Sequence, residues 1–197
     1  MRAILLVLLI CLIPTASHAG ILVGPTLNPA NGHTYLVLDL ATWDDAQAEA
    51  VSLGGNLVTI DDAAENQWII DTFAGIPGIP FVQLRPIDVL TFWIGLNDIA
   101  QEGQFEWVSG EPITYTNWAP GEPNNLVIGN EDWGMIYAAP GPTWSTGQWN
   151  DSVNEAHLAK AAIVEITNAP VPEPASHLVF SSLVLSVLAI RRRKKDS

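Results

Sequence analysis

The sequence predicts an α+β fold, and three observations carry that reading. Two stretches with helical spacing come first, several short apolar runs bounded by turn residues come after them, and a long Pro-, Gly- and Asn-rich stretch interrupts those runs. Taken in order, HTYLVL at 33–38 reads as a strand. TWDDAQAEAVSL then sets Trp43, Ala46, Ala50 and Leu53 on one helical face, with Thr42 as N-cap, acids in the first turn and Gly54-Gly55 as the stop. NLVTI at 56–60 is a short apolar strand. A second helix lies in DAAENQWIIDTF, capped by Asp62 with Glu65 three residues on, and buries Trp68, Ile69 and Phe73. Residues 75–90 read as a loop. TFWIGL at 91–96, QFEWV at 104–108, WGMIY at 133–137 and AAIVEI at 161–166 are expected as antiparallel strands. No internal repeat is visible.

The two ends differ from this middle. Residues 1–19 run from Arg2 through an apolar stretch to TASHA, the layout of a secretory signal peptide. Cys11 is the only cysteine and falls inside it, so the exported domain is expected to fold without disulfides. Residues 169–197 hold VPEP, the apolar span 178–190 and the basic run RRRKK. From Pro174 to Ile190 a helix would measure roughly 25 Å, enough to span a membrane if its flanks snorkel, with the basic cluster left in the cytoplasm. This three-part pattern resembles the PEP-CTERM sorting signal of exopolysaccharide-producing bacteria, which implies recognition by an exosortase-like membrane protease; a plain C-terminal anchor is the alternative. Either way the domain, residues 20–168, is expected outside the cytoplasm, at the cell envelope or surface, and released if the C-terminal segment is processed.

Between 20 and 170 there are two basic and nineteen acidic residues, a balance of −17. Such a domain repels nucleic acid and anionic lipid and attracts cations. All eight tryptophans lie there too, which predicts a well-filled core.

GEPNN at 121–125 has the composition of a turn. NED at 130–132 and QWND at 148–151 change that reading. Glu122, Asn124, Glu131, Asn150 and Asp151 offer carboxylate and amide oxygens and no soft ligand, a set suited to calcium and poorly suited to zinc or copper. His157 reads as structural or exposed.

In order and spacing over 33–166, four stretches resemble the C-type lectin-like domain: TWDDAQAEAVSLGGNLVTI with ENQWI, FWIGLNDIAQEGQFEWVSGEPITYTNWAPGEPNN, NEDW, and QWND. The resemblance implies two helices packed on small antiparallel sheets, with a long calcium-binding loop region. It implies that Glu122, Asn124, Glu131, Asn150 and Asp151 form the principal calcium site, that Pro123 follows a cis bond, and that vicinal sugar hydroxyls complete the ion's shell. Glu-Pro-Asn at 122–124 goes with mannose-type sugars: mannose, glucose, fucose or N-acetylglucosamine. A second, structural calcium site maps onto Asp98, Glu102, Asn125 and Asp132. The chain departs from the family in its cysteines, whose positions hold Ala50, Val164, Trp133 and roughly Asn154. WIGL and the Asn117-Trp118 pair are expected as scaffolding.

The function expected is calcium-dependent carbohydrate binding, with a structural or protein-binding domain of the same fold as the alternative. An enzyme is not expected. There is no serine elbow, no zinc pattern and no mature thiol, and calcium would keep Glu122 and Glu131 ionised, which removes the proton a glycosidase acid needs.

Overall fold

The computed structural model describes residues 19–80, 82–84, 87–126 and 130–167. The expected signal peptide and the C-terminal sorting segment with its apolar span lie outside them. The chain divides into units 1–167 and 168–197, and every described element belongs to the first. Among the described residues no helix is long and apolar enough to cross a membrane.

The elements run β1 (Ile21–Leu27), β2 (Thr34–Ala41), α1 (Trp43–Ser52), β3 (Asn56–Leu57), α2 (Ala63–Phe73), β4 (Val82–Leu84), β5 (Ile87–Val89), β6 (Thr91–Asn97), β7 (Glu106–Trp107), β8 (Trp133–Tyr137), β9 (Trp149–Ser152), a 3₁₀ turn at Ala156–Leu158, and β10 (Lys160–Ile166). The main sheet has the order β1-β2-β10-β6-β8-β9, with β3 on β10 and β7 on β6. This is the α+β class expected from sequence.

Alternation decides which helix covers which face. Tyr35 and Val37 of β2, Phe92 and Ile94 of β6 and Ile163 of β10 join Ile69, Ile70 and Phe73 of α2 in one core. Leu36 and Leu38, Trp93, and Ala162 and Val164 point the other way and join Trp43, Ala46 and Ala50 of α1 in a second. Successive strand residues face opposite sides. With a helix on each side, β6 is buried at all seven positions and reads as a continuous apolar run.

Both caps are where the sequence puts them: Thr42 accepts from the Asp45 amide and Asp62 from the Glu65 amide. The Glu65 carboxylate does not close a capping box on Asp62; its Oε2 accepts from the Asp61 amide at 2.9 Å. Gly55 follows α1 because a Cβ there would lie 2.2 Å from the Glu165 carbonyl oxygen.

Several expectations need correction. β1 was not foreseen, and a short hairpin, β4–β5, lies inside the expected 75–90 loop. The strand expected at 56–60 is two residues long, as is the one at 104–108. The sheet is not wholly antiparallel, since β10 runs parallel to β6 through Ala161↔Phe92 and Ala162↔Trp93. Trp68 is half-buried, packed on Tyr35 at 4.9 Å between ring centroids, while Ile70 is buried in its place.

At three of the four positions where the resemblance implies cysteine, packing and hydrogen bonds stand in. Ala50 and Val164 are fully buried in the same core. Asn154 accepts from the Trp43 amide at 2.6 Å and donates to Asp44 at 2.8 Å, tying the segment after β9 to the start of α1.

Candidate functional site

The site is built on β9, and β9 is held rigidly. Trp149 is fully buried, meets Trp107, Tyr115 and Trp118 edge-to-face, and donates its indole N–H to Asn66 Oδ1 at 2.8 Å. Its backbone pairs with the 117–119 segment: the Trp149 amide donates to the Asn117 carbonyl at 2.8 Å, and the Ala119 amide to the Trp149 carbonyl at 2.9 Å. Trp118 is therefore scaffolding, as expected. The chain then turns, with the Glu122 amide on the Ala119 carbonyl at 3.0 Å and Gly121 at φ +95, and Glu122 arrives beside β9.

The Glu122–Pro123 bond is cis, as the resemblance implied. Asp151, 1% exposed in β9, accepts from the Asn124 amide at 3.1 Å and the Asn125 amide at 2.8 Å. Asn125 takes φ +47, a left-handed conformation that asparagine tolerates better than most residues. Two reciprocal bonds then close the loop: Leu126 N–H donates to Glu131 Oε2 at 2.7 Å, and Glu131 N–H to Asn125 Oδ1 at 2.9 Å. Glu122, Asn124, Glu131 and Asp151 are thus gathered around one edge of the sheet, with Asn150 next to Asp151 on the same strand.

Two oxygens of this set are buried with no hydrogen-bond partner among the described residues: Glu122 Oε2 and Asn150 Oδ1. A buried polar atom without a partner costs about 1–3 kcal/mol, so such atoms call for an explanation. The charge balance is also one-sided. Burial, then Asp151 and Glu131, push the Glu122 carboxyl up to about 7. Burial and the same three carboxylates push the Tyr137 phenol up to about 12. Tyr137 is stacked on Trp144, with centroids 4.4 Å apart.

The second expected set is anchored at the end of β6. The Asp98 amide donates to the Asp132 carbonyl at 3.1 Å, and Asp98 Oδ2 accepts from the Gly103 amide at 2.7 Å. Asp98 Oδ1 is buried and lacks a partner among the described residues. Asp132 Oδ2 accepts from Asn130 at 2.6 Å. Burial and Asp98 raise the Asp132 carboxyl, and burial with Asp98 and Asp132 raises that of exposed Glu102, so these acids share one neighbourhood. Asn125 is a partial exception, because its Oδ1 is engaged by the Glu131 amide. His157 is exposed and pairs with Glu155 at 3.1 Å.

Among the described residues no three His, Cys, Asp or Glu side chains form a metal group by themselves. The sets here mix carboxylates with the amides of Asn124, Asn125 and Asn150, and several carboxylate oxygens already accept from backbone N–H groups. What remains is a hard-oxygen set with unpartnered acceptors and excess negative charge, which fits a hard divalent cation.

A second polar cluster went unnoticed in the sequence. On the α2 face, the Tyr35 hydroxyl donates to Glu65 and also contacts Glu165, Asn31 donates to Tyr35 and Glu65, and His33 meets Glu165. The one available signal was Glu165, an acid in an otherwise apolar strand.

Residues 39–159 match the family described as the lectin C-type domain, and the chain belongs to that family. Human C-type mannose receptor 2 is 34% identical over 129 residues, 65% of this chain and 8% of that protein. Lectin BRA-3 of Megabalanus rosa is 32% identical over 140 residues, 68% of this chain and 74% of that one. The crystal structure of the C-type lectin CEL-I from Cucumaria echinata superposes with a TM-score of 0.54 at 32% identity, over 68% of this chain and 89% of that one. The chain therefore spans only a small part of the mannose receptor and most of the two lectins. The family's fold is a non-enzymatic one.

Proposed function

We propose that this chain is an exported carbohydrate-binding protein that uses calcium to hold a mannose-type sugar. Glu122, Asn124, Glu131, Asn150 and Asp151 would hold the ion that the sugar completes; Asp98, Glu102, Asn125 and Asp132 would hold a second that stiffens the loop. The observation that carries the reading is the pair of buried, unpartnered oxygens, Glu122 Oε2 and Asn150 Oδ1, beside two further carboxylates. Calcium supplies a partner for both oxygens and relieves the repulsion that raises Glu122. The family, and relatives whose names include a mannose receptor and two lectins, support the sugar as the organic ligand. Glu-Pro-Asn at 122–124 supports the mannose, glucose, fucose and N-acetylglucosamine class.

The two ends of the chain would set where the domain acts. Residues 1–19 would direct export, and 169–197 would serve as a PEP-CTERM signal read by an exosortase-like protease, leaving the 20–168 domain at the envelope or released to act on surface or matrix polysaccharide. Monovalent affinity at one shallow site would be weak, and display in many copies would supply avidity.

The test is retention of the purified chain on mannose resin in calcium and release by EDTA. Asn124→Asp and Glu131→Gln should each lose retention while keeping the calcium-free melting temperature within a few degrees. Failure of the wild type to bind any sugar of this class in calcium would leave a structural or protein-binding domain as the better reading.

A further inference from the structure

We infer that Asn31 is a self-modification site, where the folded chain loses the side-chain amide as ammonia and is left with an aspartate or isoaspartate and one more negative charge.

Asn-Gly occurs once in the sequence, at 31–32. Glycine leaves the backbone nitrogen after an asparagine unshielded, because no Cβ stands beside it. An Asn-Gly pair is by itself an ordinary turn. Asn31 is set apart by what surrounds its amide. The residue is exposed, so water reaches it. The His33 amide donates to Asn31 Oδ1 at 3.0 Å, and Asn31 Nδ2 donates to the Tyr35 hydroxyl at 2.7 Å and to Glu65 Oε1 at 3.1 Å. Glu65 is buried, and burial raises its carboxyl above the ordinary value. It is faced by Tyr35 from β2, by Glu165 from β10, whose other neighbour is His33, and by Asp61 on the approach to α2.

These groups match what the reaction needs. The Gly32 nitrogen gives its proton to solvent and attacks Asn31 Cγ, making a C–N bond and placing negative charge on Oδ1, to which the His33 N–H already donates. The bond from Cγ to Nδ2 then breaks as Glu65 hands a proton to the departing nitrogen, which leaves as ammonia; Glu65 regains its proton from water. A water molecule opens the resulting succinimide at either carbonyl. In sum, one water is consumed and one ammonia is released. One contact opposes the first step: the Gly32 N–H donates to the Asn28 carbonyl at 2.8 Å, so the turn must open. A positioned acid is worth a factor of about 100 or more, and giving up one hydrogen bond costs a factor of about five. The fold should therefore speed the loss by about tenfold or more. The new carboxylate faces Glu65 where a donor stood, so the loop from Asn28 to His33 loses its tie to α2.

The experiment follows the purified chain, folded and in urea above its unfolding midpoint, by peptide mass spectrometry that reads the amide-to-acid change at every asparagine. Wild type, Glu65→Gln and Asn31→Asp are compared. Folded wild type should change at Asn31 about tenfold faster than the chain in urea, with the other asparagines unchanged. Its rate should be nearly flat with pH above neutrality, since protonated Glu65 declines as deprotonated Gly32 increases; in urea the rate should climb in proportion to hydroxide. Glu65→Gln cannot protonate the departing nitrogen and should bring the folded rate down to the urea value, with circular dichroism reporting that it is folded. Aged wild type and Asn31→Asp should both melt several degrees below fresh wild type. A folded wild-type rate at or below the urea rate, or one that climbs with hydroxide, overturns the inference whether or not Glu65→Gln folds. So does a folded Glu65→Gln that keeps the wild-type rate. An Asn31→Asp chain that melts with the wild type overturns the consequence for the loop.

Discussion

Two clusters of buried acids sit in this domain, and they solve the same problem differently. On the α2 face, Glu165 Oε2 accepts from the Thr59 amide at 3.1 Å and its Oε1 meets His33 and the Tyr35 hydroxyl, while Glu65 accepts from Tyr35, Asn31 and the Asp61 amide. Neither carboxylate has an orphaned oxygen. At the β9 edge Glu122 Oε2 and Asn150 Oδ1, and at the end of β6 Asp98 Oδ1, are buried with no donor among the described residues. The first cluster is complete as a set of side chains; the second has acceptors left over. Acidic residues alone did not distinguish them, and counting donors does.

The largest expected effect tests the complete cluster. Glu165→Ala leaves the buried Thr59 amide short of an acceptor and takes away the partner of His33, and should cost about 3 kcal/mol. The loss should be the same in calcium and in EDTA. Denaturant midpoints under both conditions check it, and a loss that appears only in calcium would erase the contrast between the two clusters.

The next effect tests the incomplete cluster. Calcium at about a hundred times its dissociation constant should stabilise the wild type by about 2.7 kcal/mol, several degrees in melting temperature for a domain of this size. Asp151→Asn should abolish most of that gain, because Asp151 both borders the set and accepts from the Asn124 and Asn125 amides. Its calcium-free stability should fall less, since a carboxamide oxygen can still accept. A wild type whose melting temperature ignores calcium would contradict the cation assignment for both sets.

The same contrast, between local pattern and distant partners, decides what the sequence could reveal. The helices, their caps and strands β6, β8 and β10 were legible because spacing and capping are local properties. β1 escaped notice because ILVGPTL lacks alternation and contains Gly24 and Pro25, and β4 and β5 because three residues are too few to show a period. The parallel β10–β6 pairing joins strands about 70 residues apart and leaves no local trace. The candidate ligands of the first set were legible because they cluster in three short motifs; Pro123 and its neighbours could be read from five residues. The Tyr35 network could not, since its partners Glu65 and Glu165 lie 30 and 130 residues away.

A third buried charge meets the same problem with a third solution. Lys160 is 2% exposed, and its ammonium nitrogen donates to Ser152 Oγ and the Leu158 carbonyl, both at 3.1 Å, and lies 3.7 Å from the Trp93 ring centroid. Burial holds its pKa down to about 7, opposed by Glu131. Where Glu165 is hydrogen-bonded and Glu122 is suited to a cation, burial shifts Lys160 toward its neutral amine. The sign follows from proton counting: the unfolded chain, with an ordinary lysine near about 10.4, holds a proton that the folded state has released between pH 7 and that value. Stability should therefore rise with pH across this window, by about 2 kcal/mol between pH 7 and pH 9, at about 1.4 kcal/mol per unit. Below pH 7 both states are protonated and the cost of the buried charge is present in full. Glu122, raised to about 7, finishes ionising at the lower edge of the window and subtracts a little from the slope. Lys160→Met removes the titrating amine and keeps the stem packed on Trp93, so its stability should be nearly flat over the same range, and it should match or exceed the wild type at pH 7. Urea midpoints of both chains at pH 7 and pH 9, in EDTA, decide this; parallel slopes would mean that Lys160 stays charged, with its two oxygen acceptors and the indole face sufficient to hold it.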